Sequence, residues 1–121
     1  MGVVYPLFVF VKDEHSMRLI EAADRILGPF EAIDIEYDEY AFWDANSEGV
    51  SISVAKNKVV SVDHCAPVFP LQHAFALYVE FLGLPAAIVG GTPIETWNRI
   101  NAELDKRPKK RSLLSKWFSR R

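Results

Sequence analysis

A chain of 121 residues, half of them hydrophobic and a quarter charged, suffices for one domain that buries roughly two-thirds of its unfolded surface without disulfide or metal staples. Its single cysteine, Cys65, excludes an internal disulfide, and no Cys and His residues fall at zinc-ligand spacing. The net charge of −2 conceals a division: residues 1–105 carry sixteen acidic and six basic groups, about −10, whereas residues 106–121 carry eight basic groups and no acid.

The apolar run at residues 3–11 lacks a basic segment before it and a small-residue cleavage site after it, so it is not read as a signal peptide. No apolar stretch approaches the roughly 20 residues that span a bilayer. The expectation is a soluble cytoplasmic protein.

Within that run, Leu7 to Val11 has no polar break and a strong β composition, which predicts a strand buried on both faces. Pro6 belongs at its first position or at a bulge, because proline cannot donate to a central ladder. Such a strand requires cover on both sides. Asp13 or Ser16 can cap a following helix whose Leu19, Ile20, Ala23, Ile26 and Leu27 fall on one side, with Gly28 and Pro29 as the stop. Residues 30–37 then alternate Ile33, Ile35 and Tyr37 with acids, the pattern of a strand with one wet, acidic face, and residues 40–44 continue it beyond a bulge.

After a polar loop at residues 45–49, Val50, Ile52 and Val54 alternate with serines, and Val59, Val60 and Val62 follow a turn placed at Asn57-Lys58. Pro70 opens and Gly83 closes a largely apolar helix, and residues 86–89 fit a short fifth strand. Thr92-Pro93-Ile94-Glu95 is a capping box with proline in the first turn; the helix it starts ends before Pro108. The whole predicts an α+β fold: a largely antiparallel sheet in the order β-α-β-β-β-α, with the short fifth strand, a C-terminal helix, and helices packed on it. Residues 1–107 form the domain and residues 108–121 a basic amphipathic tail.

Two strand-end triplets could carry chemistry, Asp13-Glu14-His15 and Asp63-His64-Cys65. A crossover helix would make the first two strands parallel and place both triplets at one end of the sheet, where a metal site or a Cys-His pair could form if the strands were neighbours. Adjacent residues on an extended segment point to opposite faces, however, so His64 and Cys65 do not simply share a pocket. Gly90-Gly91-Thr92 precedes a helix but lacks a phosphate-loop lysine and a full glycine fingerprint. The sequence therefore assigns no catalytic residue, no cofactor and no metal.

Between Glu31 and Glu48 lie seven carboxylates, four large aromatics and no Lys or Arg. Aromatic anchors beside acids suit a basic protein partner, and the expected binding residues are Asp34, Glu36, Asp38, Glu39, Tyr40, Phe42, Trp43 and Asp44. The tail places Leu113, Leu114, Trp117 and Phe118 on one helical side among Lys109, Lys110, Arg111 and Lys116, a pattern suited to an anionic membrane surface or an acidic partner. The acidic body argues against nucleic acid. The leading functional expectation is a small cytoplasmic binding protein for a basic protein, of the inhibitor or immunity-protein kind. The alternatives are a membrane-peripheral adaptor held by its tail and a small enzyme or metal site at the strand ends.

Overall fold

The computed structural model describes residues 2–26, 35 and 39–107. Their core is a five-stranded, wholly antiparallel sheet built from β1 (Leu7–Val11), β2 (Ser16–Ile20), β3 (Tyr40–Trp43), β4 (Gly49–Ala55) and β5 (Lys58–His64), in the order β2-β1-β3-β4-β5. Two helices follow, α1 (Leu71–Leu82) and α2 (Pro93–Asp105). The architecture is α+β, with an antiparallel sheet and helices packed on it.

β1 is flanked on both sides, by β2 (Leu7↔Ile20 to Val11↔Ser16) and by β3 (Phe8↔Trp43 to Val11↔Tyr40), so its unbroken apolar run serves two cores. Phe8 and Phe10 point to the side covered by the helices, where Met17, Ala41, Trp43, Ala74, Phe75 and Ile100 join them. Phe8 meets Phe75 edge-on at 5.5 Å and Trp97 at 6.2 Å, geometries that suit the aromatic quadrupole. Leu7 and Val9 point the other way, into a second core with Ile20, Ile26, Ile35, Phe42 and Val50. The connection from β2 to β3 supplies cover there through Ile26 and Ile35.

Of the helix expected over residues 16–27, residues 16–20 are a strand and Ala23–Arg25 a 3-10 turn, and residue 27 lies outside the described residues. The apolar residues at 17, 19 and 20 divide between the two faces of β2: Met17 and Leu19 pack under the helices, and Ile20 packs in the opposite core. The strand expected at 30–37 lies outside the described residues except for Ile35, which is helical and buried. Residues 86–88 form a 3-10 turn and not a fifth strand.

The β4–β5 hairpin turns at Lys56-Asn57, one residue before the expected place, with both residues at positive φ (53° and 63°), the type I′ geometry whose twist matches the flanking strands. Ile52, Val54, Val59 and Val62 line the second core, while Ser51 and Ser53 face water. A register shift between Ser53 and Val54 inserts Val60 as a bulge residue, 65% exposed, on the edge strand β5. After β5 the chain crosses tightly over Gly49, where a Cβ would lie 2.5 Å from the Cys65 carbonyl oxygen and 2.8 Å from the Pro67 nitrogen. Only glycine fits beneath that crossing.

α1 begins against β3, where the Trp43 indole donates to the Phe69 carbonyl (3.1 Å), and it packs against β2. Pro70 stands as its N-cap and Gly83, at φ 73°, closes it. Arg107 donates to the Leu82 carbonyl, supplying the basic group that the last turn of α1 lacks. The capping box of α2 is complete: Glu95 N–H donates to Thr92 Oγ1 (3.2 Å) and Thr92 N–H donates to Glu95 Oε1 (2.8 Å).

Candidate functional site

Antiparallel pairing puts the two strand-end triplets at opposite ends of the sheet. β1 ends at Val11 opposite Tyr40, and His15 lies in the turn beyond it, at φ 58° and stacked 5.7 Å from Phe10. His64 pairs with Val50, which pairs with Phe42, so it sits at the other end beside Asp44. The proposed meeting of His15 with His64, and any metal or Cys-His chemistry built on it, is thereby removed. Among the described residues no group of three or more His, Cys, Asp or Glu could hold a metal ion. The carboxylate of Glu95 occupies the first turn of α2 next to Gly91, and the Gly90 carbonyl accepts from Thr96 and Arg99, so this turn is a helix cap.

What His64 does meet is Asp44. The carboxylate is fully buried and accepts four hydrogen bonds: Oδ1 from the N–H groups of Asn46 (2.9 Å) and Glu48 (3.1 Å), Oδ2 from Val4 N–H (3.3 Å) and His64 Nε2 (2.8 Å). It joins the N-terminal arm, the β3–β4 turn and the end of β5 at one point. Burial pushes the Asp44 carboxyl up, but the hydrogen bonds from His64, Glu48, Val4 and Asn46 outweigh it and hold the group below its ordinary range. Bonding to a carboxylate assigns the His64 proton to Nε2, since the carboxylate can only accept. Neither residue stood out in the sequence as half of a pair. The available signal was the spacing Asp44, Asn46, Glu48, Gly49, in which an aspartate side chain can accept from the backbone two residues on; His64 required the strand register. Cys65, although adjacent and exposed, lines a different hollow.

That hollow follows from how β3 and β4 part. They pair only at Phe42↔Val50 and Trp43↔Gly49. Beyond those pairs the strands diverge and leave a cleft of about 160 Å³, whose walls include Ile35, Tyr40 and Ala41 on one side and Ser51, Cys65 and Val68 on the other. Val68 is 75% exposed at its rim. Asp63, exposed, stands opposite Ser51 on β5, and Glu39 precedes Tyr40.

Of the expected binding residues, Phe42, Trp43 and Asp44 are enclosed. Phe42 is in the core behind the sheet, Trp43 is under the helices, and Asp44 is in the junction just described. Phe42 and Trp43 nevertheless line the cleft between β3 and β4, and Asp44 lines a separate hollow with Val4, Asn46 and His64. Glu39 and Tyr40 are half-buried, with Tyr40 edge-on to Phe42 at 6.2 Å. Asp34, Glu36 and Asp38, and the tail residues Lys109, Lys110, Arg111, Leu113, Leu114, Lys116, Trp117 and Phe118, lie outside the described residues. No helix among the described residues is long and apolar enough to cross a membrane. Comparison with known proteins finds no matching family model, no similar curated protein and no similar solved structure.

Proposed function

We propose that the protein is a small binding protein that recognises a basic protein partner at the cleft between β3 and β4, in the manner of an inhibitor or immunity protein. The observation that carries this reading is the position of the cleft. Its wall includes Ile35 and Tyr40, and these two residues bound the segment of the sequence richest in acid. A Lys or Arg side chain entering beside Tyr40 would find its stem against Ala41 and Val68 and its charge near Glu39 and Asp63, an arrangement that matches the amphipathic build of such side chains. Phe42 and Trp43, although almost wholly buried, also line the cleft and fix the β3 backbone that forms its wall.

The test is affinity capture at low and high salt with wild-type protein and with Glu39→Lys/Asp63→Lys, followed by binding kinetics on each purified captured protein. The expected partner is basic and associates at least tenfold more slowly with the charge-reversed protein, an effect that raised salt reproduces in wild type. Equal association rates for the two proteins, or a captured set without a basic member, would remove the proposal.

A further inference from the structure

The parting of β3 from β4 uncovers main chain as well as side chains. Cys65 N–H donates to the Gly49 carbonyl (2.9 Å), and this fixes the phase of the β4–β5 ladder. Gly49, Ser51 and Ser53 direct their N–H and C=O groups at β5, so Val50, Ile52 and Val54 direct theirs to the other side. There Val50 pairs with Phe42, and the same ladder continues into the turn, where Asp44 N–H donates to the Glu48 carbonyl (2.9 Å). The next pair in the series would join Ile52 to Tyr40, and it does not form. Beyond Val50, no strand of the described residues pairs with that side of β4.

Main-chain groups away from bulk water require partners. Ile52 and Val54 are half-buried, and their side chains pack in the second core. Ser51 and Ser53 point the opposite way and are exposed, with the exposed Asp63 opposite Ser51 on β5. The cleft at the closed end of this opening has no Lys or Arg among its described lining residues, and Lys56 and Lys58 lie at the far end of the hairpin. An extended segment laid against β4 here meets apolar side chains on one face, and hydroxyls with a carboxylate on the other.

We infer that β4 takes up an extended segment of a basic protein as an added strand, paired antiparallel to its free side at Ile52 and Val54. The inference rests on the reading of the cleft as the site of a basic partner and adds how that partner's backbone is held. Residues opposite Ile52 and Val54 exchange main-chain bonds with them and turn apolar side chains toward the second core. The residues between turn a Lys or Arg over the serines toward Asp63. The segment therefore alternates basic and apolar residues.

The test adds the acetylated and amidated peptide Lys-Val-Lys-Val-Lys to the full chain and follows each backbone amide by NMR. In the free protein the Ile52 and Val54 amides should exchange with solvent faster than those of Ser51 and Ser53, and the peptide should slow them about tenfold or more. The same peptide N-methylated at both valines keeps its side chains but cannot donate to β4, and should bind about tenfold or more weakly. Glu-Val-Glu-Val-Glu should also bind about tenfold more weakly, and raised salt should weaken the lysine peptide. Slow exchange of Ile52 and Val54 in the free protein, whether through the chain itself or a second copy, overturns the inference, and so does an absence of peptide binding. Equal binding of the N-methylated peptide removes the strand pairing and leaves the cleft as a side-chain site. Equal binding of the glutamate peptide removes the basic partner, and with it the reading on which the inference rests.

Discussion

Asp44 shows how a single side chain can be read correctly for its charge and wrongly for its place. Its neighbours in sequence are acidic and aromatic, and composition alone sets it on a wet face. Strand alternation over Phe42, Trp43 and Asp44, combined with the turn that brings Asn46 and Glu48 back over it, puts it inside. Replacing it by alanine leaves three backbone N–H groups and the His64 ring without their acceptor, and should cost about 3–5 kcal/mol in denaturant unfolding. His64→Ala leaves the carboxylate three N–H donors and should cost about 1–2 kcal/mol. A double-mutant cycle on the pair will report their coupling, which should be non-zero because the two share one hydrogen bond. Because the Asp44 carboxyl is held low in the folded chain, the stability it contributes is present above its unfolded value, near pH 4 (about 3.9), and is lost as pH falls through the lowered folded value. Unfolding midpoints from pH 6 down to about 2 should therefore fall more steeply for wild type than for Asp44→Asn, and parallel curves would refute the assignment.

At the level of elements, legibility tracked how much of the signal was local. β1 is an unbroken apolar run, α1 is bracketed by Pro70 and Gly83, and α2 carries a complete capping box in four consecutive residues, so each could be read without knowing its neighbours. β2 could not. Leu19, Ile20, Ala23 and Ile26 match a helical stripe by spacing, yet Leu19 and Ile20 lie in a strand, and Ala23 and Ile26 in and after a 3-10 turn, because β1 offers an edge and both faces of the sheet need apolar cover. The cleft was equally hidden, since it arises from pairing that stops after two residue pairs. The β4–β5 turn offers a direct check of local chemistry. Lys56 and Asn57 both sit at positive φ, where Asn-Gly is the favoured pair. Lys56→Asn/Asn57→Gly should raise stability by about 1 kcal/mol, whereas Thr92→Ala, which dismantles the capping box, should lower it by about the same amount.

Over the whole molecule, the two cores share one strand. Leu7 and Val9 belong to one, Phe8 and Phe10 to the other, so neither can loosen without disturbing the backbone of β1. Ile100→Ala on the helix side and Ile26→Ala on the opposite side should each cost about 2–5 kcal/mol. Both should act on a single cooperative transition, seen at the same midpoint by tryptophan emission and by far-ultraviolet circular dichroism. Separate midpoints would show that the layers unfold independently. The charge division has a different standing: its existence is plain in the sequence, but only the fold shows that Ile35 and Tyr40, which flank the acid-rich stretch in sequence, line one cleft and that Arg107 binds the Leu82 carbonyl at the end of α1.

The bulge at Val60 has a consequence beyond the hairpin that contains it. β5 is seven residues long and forms an open edge of the sheet, the kind of strand that invites stacking against a copy of itself and the start of a fibril. With one residue displaced in its middle, the outward row of N–H and C=O groups loses its regular spacing, and the exposed Lys58 and Asp63 place charge toward its two ends. A foreign strand laid there could bond along only part of its length, so the irregularity that weakens one pairing inside the molecule also protects the chain against aggregation.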